Sequence, residues 1–289
     1  MSILDIRHST TYRYSRAVGL HRHRLMLRPR ATHDLRLLTT ALTCTPTATI
    51  SWTYDIFGNS IAWADFSEPS ATLTIESRLE LELYTTAWPV FQIAPSAHTY
   101  PFTYSDDERT DLGAMLSPQY PDPDDTLKIW ATAFVAGSET DTLSLLKDIN
   151  ASLTGWIAYQ ARDDEGTQTP LESLKLGTGS CRDIALLMAE AVRHLGFGAR
   201  IISGYLFVPP AEAGWSSTSG TTHAWLEIYL PGAGWISFDP TNRSMGGANL
   251  IPVACVRDIR QAVPISGSFF GAATDLLGMD VSVTVNKIS

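Results

Sequence analysis

From Leu4 the chain alternates. Leu4, Ile6, His8, Thr10, Tyr12 and Tyr14 fall on one face of an extended segment, and Asp5, Arg7, Ser9, Thr11 and Arg13 on the other. Further on, Leu73, Ile75, Leu79, Leu81 and Leu83 alternate with Thr72, Thr74, Glu76, Arg78, Glu80 and Glu82. A period of two sustained over such lengths predicts strands with one buried face. Between them lies "YDIFGNSIAW", where Gly58 and Asn59 form a turn joining two more strands. This part predicts an antiparallel sandwich or open barrel with no obvious chemistry of its own.

The pattern then changes. Residues from about 85 to 122, including "TAWPVFQIAPSAHTYPF" and "SPQYPDPDD", are proline-rich and predict a connector across the surface. "DDTLKIWATAFVAG" and "DTLSLLKDINASLTGW" have helical patterning and open on residues suited to N-caps. "WIAYQ" predicts a short extended piece, and "TPLESLKLG" a short helix ending at Gly177.

The clearest helix follows Cys181. Ile184, Leu187, Met188, Ala191, Val192 and Leu195 make one continuous apolar stripe. Ser180 suits its N-cap, Asp183 suits the positive end of its dipole, and Gly196 closes it. "ARIISGYLFV", "HAWLEIYL" and "GWISFDP" follow as strands, and "MDVSVTVNKI" predicts a last one. The fold class is α+β.

Composition narrows the function classes. The net charge of −9 argues against a general nucleic-acid binder, which would carry a basic face. The opening "MSILDIRHST" lacks the apolar run of a secretory signal, and no stretch is apolar enough to predict a membrane span. The cysteines, Cys44, Cys181 and Cys255, are odd in number and form no CxxC pair. That argues against a disulfide framework or a structural zinc, and the expected setting is a reducing cytoplasm.

A thiol in the first turn of a helix meets unpaired backbone amides and the positive end of the dipole. Both favour the thiolate, and the same amides can hold an oxyanion. A buried structural cysteine is the plain alternative. A nucleophile also needs a base and a group that orients the base. His223 opens a strand, and Asp239 ends the next one, just before Pro240. The turn-like "PGAG" between them predicts a hairpin that brings carboxylate and imidazole together. Singly, His223 reads as a hydrogen-bonded ring at a strand end and Asp239 as a turn residue; the ordered set of three is harder to obtain by accident. A metal site from the same three residues lacks the short spacings typical of zinc, so neither metal nor cofactor is expected. Residues 209 to 222 form a polar, glycine-bearing loop leading into His223, either a lid with Trp215 at its tip or a plain connection. Trp225 and Trp235 are expected to pack beside the site.

"GSCRDIALLMAEAVRHLGFGARIISGYL" and "THAWLEIYLPGAGWISFDPTN" resemble the transglutaminase-like superfamily of papain-type cysteine enzymes, and within it the bacterial transglutaminase-like cysteine peptidases. "YRYSRAVGLHRHRLMLRPR" and "YDIFGN" resemble that family's β-rich N-terminal domain, and "RDIRQAVPISGSFFG" its C-terminal end. One departure is Val256, where the resemblance leads one to expect a glycine before Arg257 and Asp258. The resemblance implies a papain-like, transglutaminase-like core at 101–289 that includes the C-terminal strands, behind a β-rich domain at 1–100. It implies Cys181 as nucleophile, His223 as base and Asp239 as orienter. Apart from the resemblance, Trp215 and Trp225 are the candidate substrate contacts. The implied reaction is acyl transfer from a peptide or isopeptide amide through a thioester. Water as acceptor makes a peptidase or amidase; an amine makes a transglutaminase or ligase. A binding module that keeps the fold without turnover is the rival reading. The expected partner is a peptide or protein substrate, with no nucleic acid and no membrane; nothing in the sequence indicates an oligomeric state.

Overall fold

Six strands build the N-terminal region: β1 (Ser2–Leu20), β2 (His23–Leu25), β3 (Leu35–Thr45), β4 (Ala48–Tyr54), β5 (Ser60–Phe66) and β6 (Ser70–Leu83). They belong to a computed structural model that describes residues 2–86, 89–161, 166–208 and 220–288. β1 runs antiparallel to β6, from Ser2 opposite Leu83 to Arg13 opposite Thr72, and β3 takes the other edge of β6. The alternation explains the packing: Leu4, Ile6, Leu73, Ile75 and Leu81 are fully enclosed while their sequence neighbours face outward. β2, β5 and β4 form a second sheet, with the Gly58 turn at φ +77° between β4 and β5. Tyr14, Val18, Leu20, Leu25, Ala62 and Ala64 fill the space between the sheets. A sandwich is the result.

The proline-rich connector is more ordered than the sequence predicts. It contains β7 (Thr99–Tyr100) and helix α1 (Asp106–Leu112). A capping box that the composition masked starts α1: the Glu108 carboxylate accepts the Ser105 amide at 2.9 Å, and the Ser105 hydroxyl accepts the Glu108 amide at 3.2 Å. Helix α2 (Thr126–Thr132), strand β8 (Thr140–Asp141, paired with β7) and helix α3 (Thr142–Trp156) follow. Then come β9 (Ala158–Tyr159), α4 (Pro170–Leu176), β10 (Thr178–Gly179) and α5 (Cys181–His194). β11 (Ala199–Phe207), β12 (Gly220–Leu230), β13 (Gly234–Asp239), β14 (Ser244–Met245) and β15 (Leu250–Val256) make one sheet in the order β14-β13-β12-β11-β15. Val256 completes β15 opposite Ile201 and is fully buried.

The strands at the end of the chain pair with the N-terminal sheets and not with this one. β16 (Ile265–Ser266) pairs with β2, β17 (Phe269–Phe270) with the end of β1, and β18 (Leu276–Lys287) runs along β1 from Tyr14 to Leu4. The physical reason is the edge that β6 leaves open on β1. The alternation of Val281, Val283 and Val285 sets these residues opposite Thr10, His8 and Ile6, extending the same inner face. The two halves share a core in which Leu4, Ile6, Leu79 and Leu81 meet Tyr205, Phe207, Ile251 and Val253. Asn59 adds a polar clasp: its side-chain amide donates to the Cys255 carbonyl at 2.7 Å and accepts the Cys255 amide at 2.8 Å.

Helix α5 lies at the centre. It packs on β11 and β12 and against α2, α3 and α4, and every residue from Asp183 to Arg193 is buried. Three of those residues are charged: Asp183 at the start, and Glu190 and Arg193 toward the end. Arg193 donates to Glu190 at 2.6 Å, to the Ala199 and Arg257 carbonyls at 2.7 Å each, and to the Met115 carbonyl at 3.2 Å. The other Glu190 oxygen accepts the Gln119 and Tyr120 amides at 2.6 and 3.0 Å. The pair is thus saturated and ties α5 to the connector, to the start of β11 and to the residue after β15. Removing one partner strands a buried charge, so Arg193→Met should cost about 3–5 kcal/mol of unfolding free energy. The double variant Arg193→Met with Glu190→Met should recover much of that loss. Urea midpoints of the two variants check this; equal destabilisation by both would contradict it.

Candidate active site

The stretch before α5 is built to aim its first turn. Gly177, at φ +66°, ends α4 in the left-handed conformation. Thr178 and Gly179 then pair in parallel with Ala158 and Tyr159. A Cβ on Gly179 would lie 3.0 Å from the Asp183 Cβ, a contact tight enough that the helix start would have to shift to admit it. One carboxylate oxygen of Asp183 accepts both the amide and the hydroxyl of Ser180, each at 2.8 Å, and the other accepts the Gln168 amide at 2.7 Å. Asp183 is therefore committed to the loop, as its place at the helix start led one to expect. The first intrahelical bond runs from the Ile184 amide to the Ser180 carbonyl at 3.0 Å. The amides of Cys181 and Arg182 lie in the first turn with no intrahelical acceptor. The Cys181 side chain is half-buried at this point.

His223 enters from β12, where it pairs with Gly204 of β11. A Cβ at Gly204 would lie 2.0 Å from the Ile251 carbonyl oxygen and 3.0 Å from the Trp225 ring, so the close approach of β15 and of Trp225 depends on that glycine. The His223 ring is 6% exposed and stacks on Trp225, with centroids 6.1 Å apart and planes inclined by 24°. Its Nε2 bonds to Asp239 Oδ2 at 2.8 Å, which leaves Nδ1 for the Cys181 side. Asp239, at the end of β13, is 1% exposed. The hairpin inferred from "PGAG" thus brings ring and carboxylate together, and the helix start brings Cys181 close enough to the ring to raise its pKa.

Electrostatics follow from this geometry. Burial by itself lowers the pKa of His223. The bonds to Asp239 and Cys181 and the charges on both outweigh it and hold the ring at about 9, above its ordinary 6.5. Two thiols away from this ring are raised as well. Burial pushes Cys44 up to about 11 and Cys255 to about 12.

Some expectations are not met in the same form. Trp225 is 1% exposed, packed with Ile202 and Leu250, so it backs the imidazole and does not face a substrate. Its indole N–H is buried without a hydrogen-bond partner among the described residues. Trp215, and residues 209–219 of the loop weighed as a lid, lie outside the described residues. No group of three or more His, Cys, Asp or Glu among the described residues converges as metal ligands would, and no described helix is long and apolar enough to cross a membrane.

Two residues at the site were not singled out from the sequence. Tyr159 stands on β9 beside the loop that leads to Cys181; its pKa is raised by burial and then by the Cys181 charge. Asn242 donates from Nδ2 to Asp239 Oδ2 at 2.7 Å, and its backbone amide donates to Oδ1 at 3.3 Å. The signal for Asn242 was present in "DPTN", since an aspartate opening a turn accepts amides two and three residues on.

Residues 128–240 match the transglutaminase-like superfamily, and residues 4–82 match the bacterial transglutaminase-like N-terminal region. The chain has a transglutaminase-like core. An uncharacterized Mycobacterium tuberculosis protein, Rv2569c, is 28% identical over 97% of this chain and 91% of its own length. The Mycobacterium leprae protein ML0607 is 32% identical over 41% of each chain. A crystal structure from Cytophaga hutchinsonii, named as a putative cysteine protease, superposes with a TM-score of 0.73 at 18% identity, covering 100% of this chain and 91% of that one. That likeness supports the α+β fold from end to end.

Two outcomes follow for the transglutaminase-like core. Iodoacetamide near neutral pH should modify Cys181 well before Cys44 or Cys255, which burial keeps protonated; peptide mapping reads the order, and early labelling of either other thiol contradicts it. Because the His223 pKa is raised on folding, its contribution to stability is complete below 6.5 and is lost as the pH rises through about 9. Urea unfolding across that window should show the loss, and Asp239→Asn should flatten it.

Proposed function

We propose that the protein is a cysteine acyl-transfer enzyme that hydrolyses peptide or isopeptide amides through a thioester. One observation carries the proposal: the buried 2.8 Å bond from His223 Nε2 to Asp239, with Cys181 on the far side of the same ring at the start of α5. In this reading Cys181 is the nucleophile, His223 the acid and base, and Asp239 the orienter. The form of the pair that reacts is thiolate and imidazolium.

The thiolate attacks the amide carbonyl carbon, and the electron pair of the C=O bond moves to oxygen. The oxyanion forms at the first turn of α5, where the Cys181 amide can donate to it. As the tetrahedral adduct collapses, the C–N bond breaks and the leaving nitrogen takes the proton from His223 Nδ1. A thioester and a neutral imidazole remain. Water, losing a proton to that imidazole, then attacks the thioester, and thiolate and carboxylic acid separate. Asp239 keeps its place throughout and stabilises the imidazolium whenever it forms.

Hydrolysis is favoured over transfer to an amine because water needs no site of its own, whereas an amine competes only if it is bound and oriented. A peptide and isopeptide library read by mass spectrometry, with and without millimolar amines, tests both parts. Acid products support hydrolysis; amide products in excess that saturate with amine make the protein a transferase. On a substrate so found, Cys181→Ala and His223→Ala should each lower kcat by about 10⁵–10⁶-fold, and Asp239→Asn by about one to two orders of magnitude less. Equal turnover by wild type and Cys181→Ala would remove Cys181 as the nucleophile, and no turnover by the wild type on any library member would favour a binding module.

A further inference from the structure

The Asp239 carboxylate accepts more than the imidazole. Oδ1 takes the backbone amides of Thr241 and Asn242 at 3.1 and 3.3 Å. Oδ2 takes His223 Nε2 at 2.8 Å and Asn242 Nδ2 at 2.7 Å. Asn242 Nδ2 is also 3.5 Å from His223 Nε2, so two donors converge on one oxygen at nearly equal distances. Asn242 itself is exposed, although the ring and carboxylate it touches are both buried.

The loop that holds it is pinned from α3. Asn150 Nδ2 donates to the Ser244 carbonyl at 3.2 Å, and the Arg243 guanidinium donates to the Thr154 hydroxyl. Arg243 has φ +55°, an uncommon conformation for a residue with a side chain. The backbone that follows Asn242 is thus held by contacts that do not involve its side-chain amide, and the two amides on Oδ1 belong to the backbone. That separates two roles. The backbone fixes where the carboxylate sits; the Asn242 side chain acts only on the oxygen facing the ring.

We propose that Asn242 is a positioning residue of the reaction: by sharing Asp239 Oδ2 with His223, it limits how strongly that oxygen holds the ring proton, so that the imidazolium can release a proton to the leaving group. The proposal rests on the Cys181–His223–Asp239 reading above. A carboxylate oxygen with a second donor is a weaker acceptor for the first. The groups that act on the ring are Asp239 from β13 and Cys181 from α5, with Trp225 stacked on one face and Tyr159 of β9 near the thiol. A strong acceptor with no competitor would keep the proton on the ring past the pH at which catalysis needs it.

The test needs no substrate. The rate of Cys181 alkylation by iodoacetamide, followed from about pH 5 to about pH 10.5, steps where the neighbouring imidazolium loses its proton. In the wild type that step is expected near pH 9, the value at which the ring is held. Asn242→Ala should move the step upward by about half a pH unit or more, because Oδ2 then serves the ring alone. Asn242→Asp preserves the side-chain shape and adds a negative charge at the same place; it should move the step further upward. Thermal unfolding confirms that both variants remain folded. An unchanged step in Asn242→Ala overturns the proposal, since a purely structural role would leave it in place. A downward step also overturns it, because the side chain would then be strengthening the pair. A wild-type profile without any upper step brings down the triad reading itself, and this proposal with it; that failure shows in the wild type, whereas failure of the Asn242 role shows only in the variants.

Discussion

Helix α5 is closed in on all sides, and the rest of the structure is arranged around that enclosure. A helix that touches solvent along one face can tilt. One that is buried from Asp183 to Arg193 cannot move without opening the core. Its far end is locked by Arg193, whose guanidinium reaches Glu190 and three carbonyls. Its near end is locked by Asp183, which gathers Ser180 and Gln168. Cys181 therefore sits on a fixed element, with its direction set by contacts on both sides of the helix.

The facing residues are fixed by different means. His223 is placed by the register of β12 against β11 and by Trp225, whose ring lies over the space that Gly204 leaves. Asp239 is placed by a turn in which its own following amides hold one oxygen. The site thus meets at the junction of three independent constraints: a buried helix, a glycine-dependent strand crossing and a backbone-held carboxylate. Each can be disturbed without the others, and for that reason the substitutions discussed above separate stability from chemistry.

The N-terminal sandwich is tied into this arrangement. β18 runs back along β1, and Val285 shares a cluster with Ile6, Leu79 and Tyr205. Asn59 pairs both ways with the backbone of Cys255, so the turn in "YDIFGN" meets β15, the edge strand of the core sheet. Substitutions in the sandwich should therefore be felt in the core sheet through packing.

Alternation alone determined β1 and β6 and the residues they bury, because a two-residue period leaves only one face for Leu4, Ile6, Leu73 and Ile75. Capping chemistry and the stripe from Ile184 to Leu195 determined α5, and the order of Cys181, His223 and Asp239 on a helix start, a strand and the next strand end was legible for the same local reasons. Other features belong to the tertiary structure. The sequence of α5 shows one apolar stripe, but Ala185, Ala189, Glu190 and Arg193 on its other faces are buried as well; small side chains and a paired charge look like a solvent face until α2, α3 and α4 cover them. Trp225 is expected from the sequence to pack beside the site and is also a candidate substrate contact; that its ring lies against Gly204 and is buried shows only in the structure. The partner of β18 could not be read at all, since an alternating strand states which face it buries and not which edge it joins. Asn242 sits in a legible turn, but its convergence with His223 on one oxygen exists only once β12 and β13 are paired and the loop after Asp239 is pinned to α3. A hydrogen bond between side chains far apart in sequence is set by distances that local pattern does not encode.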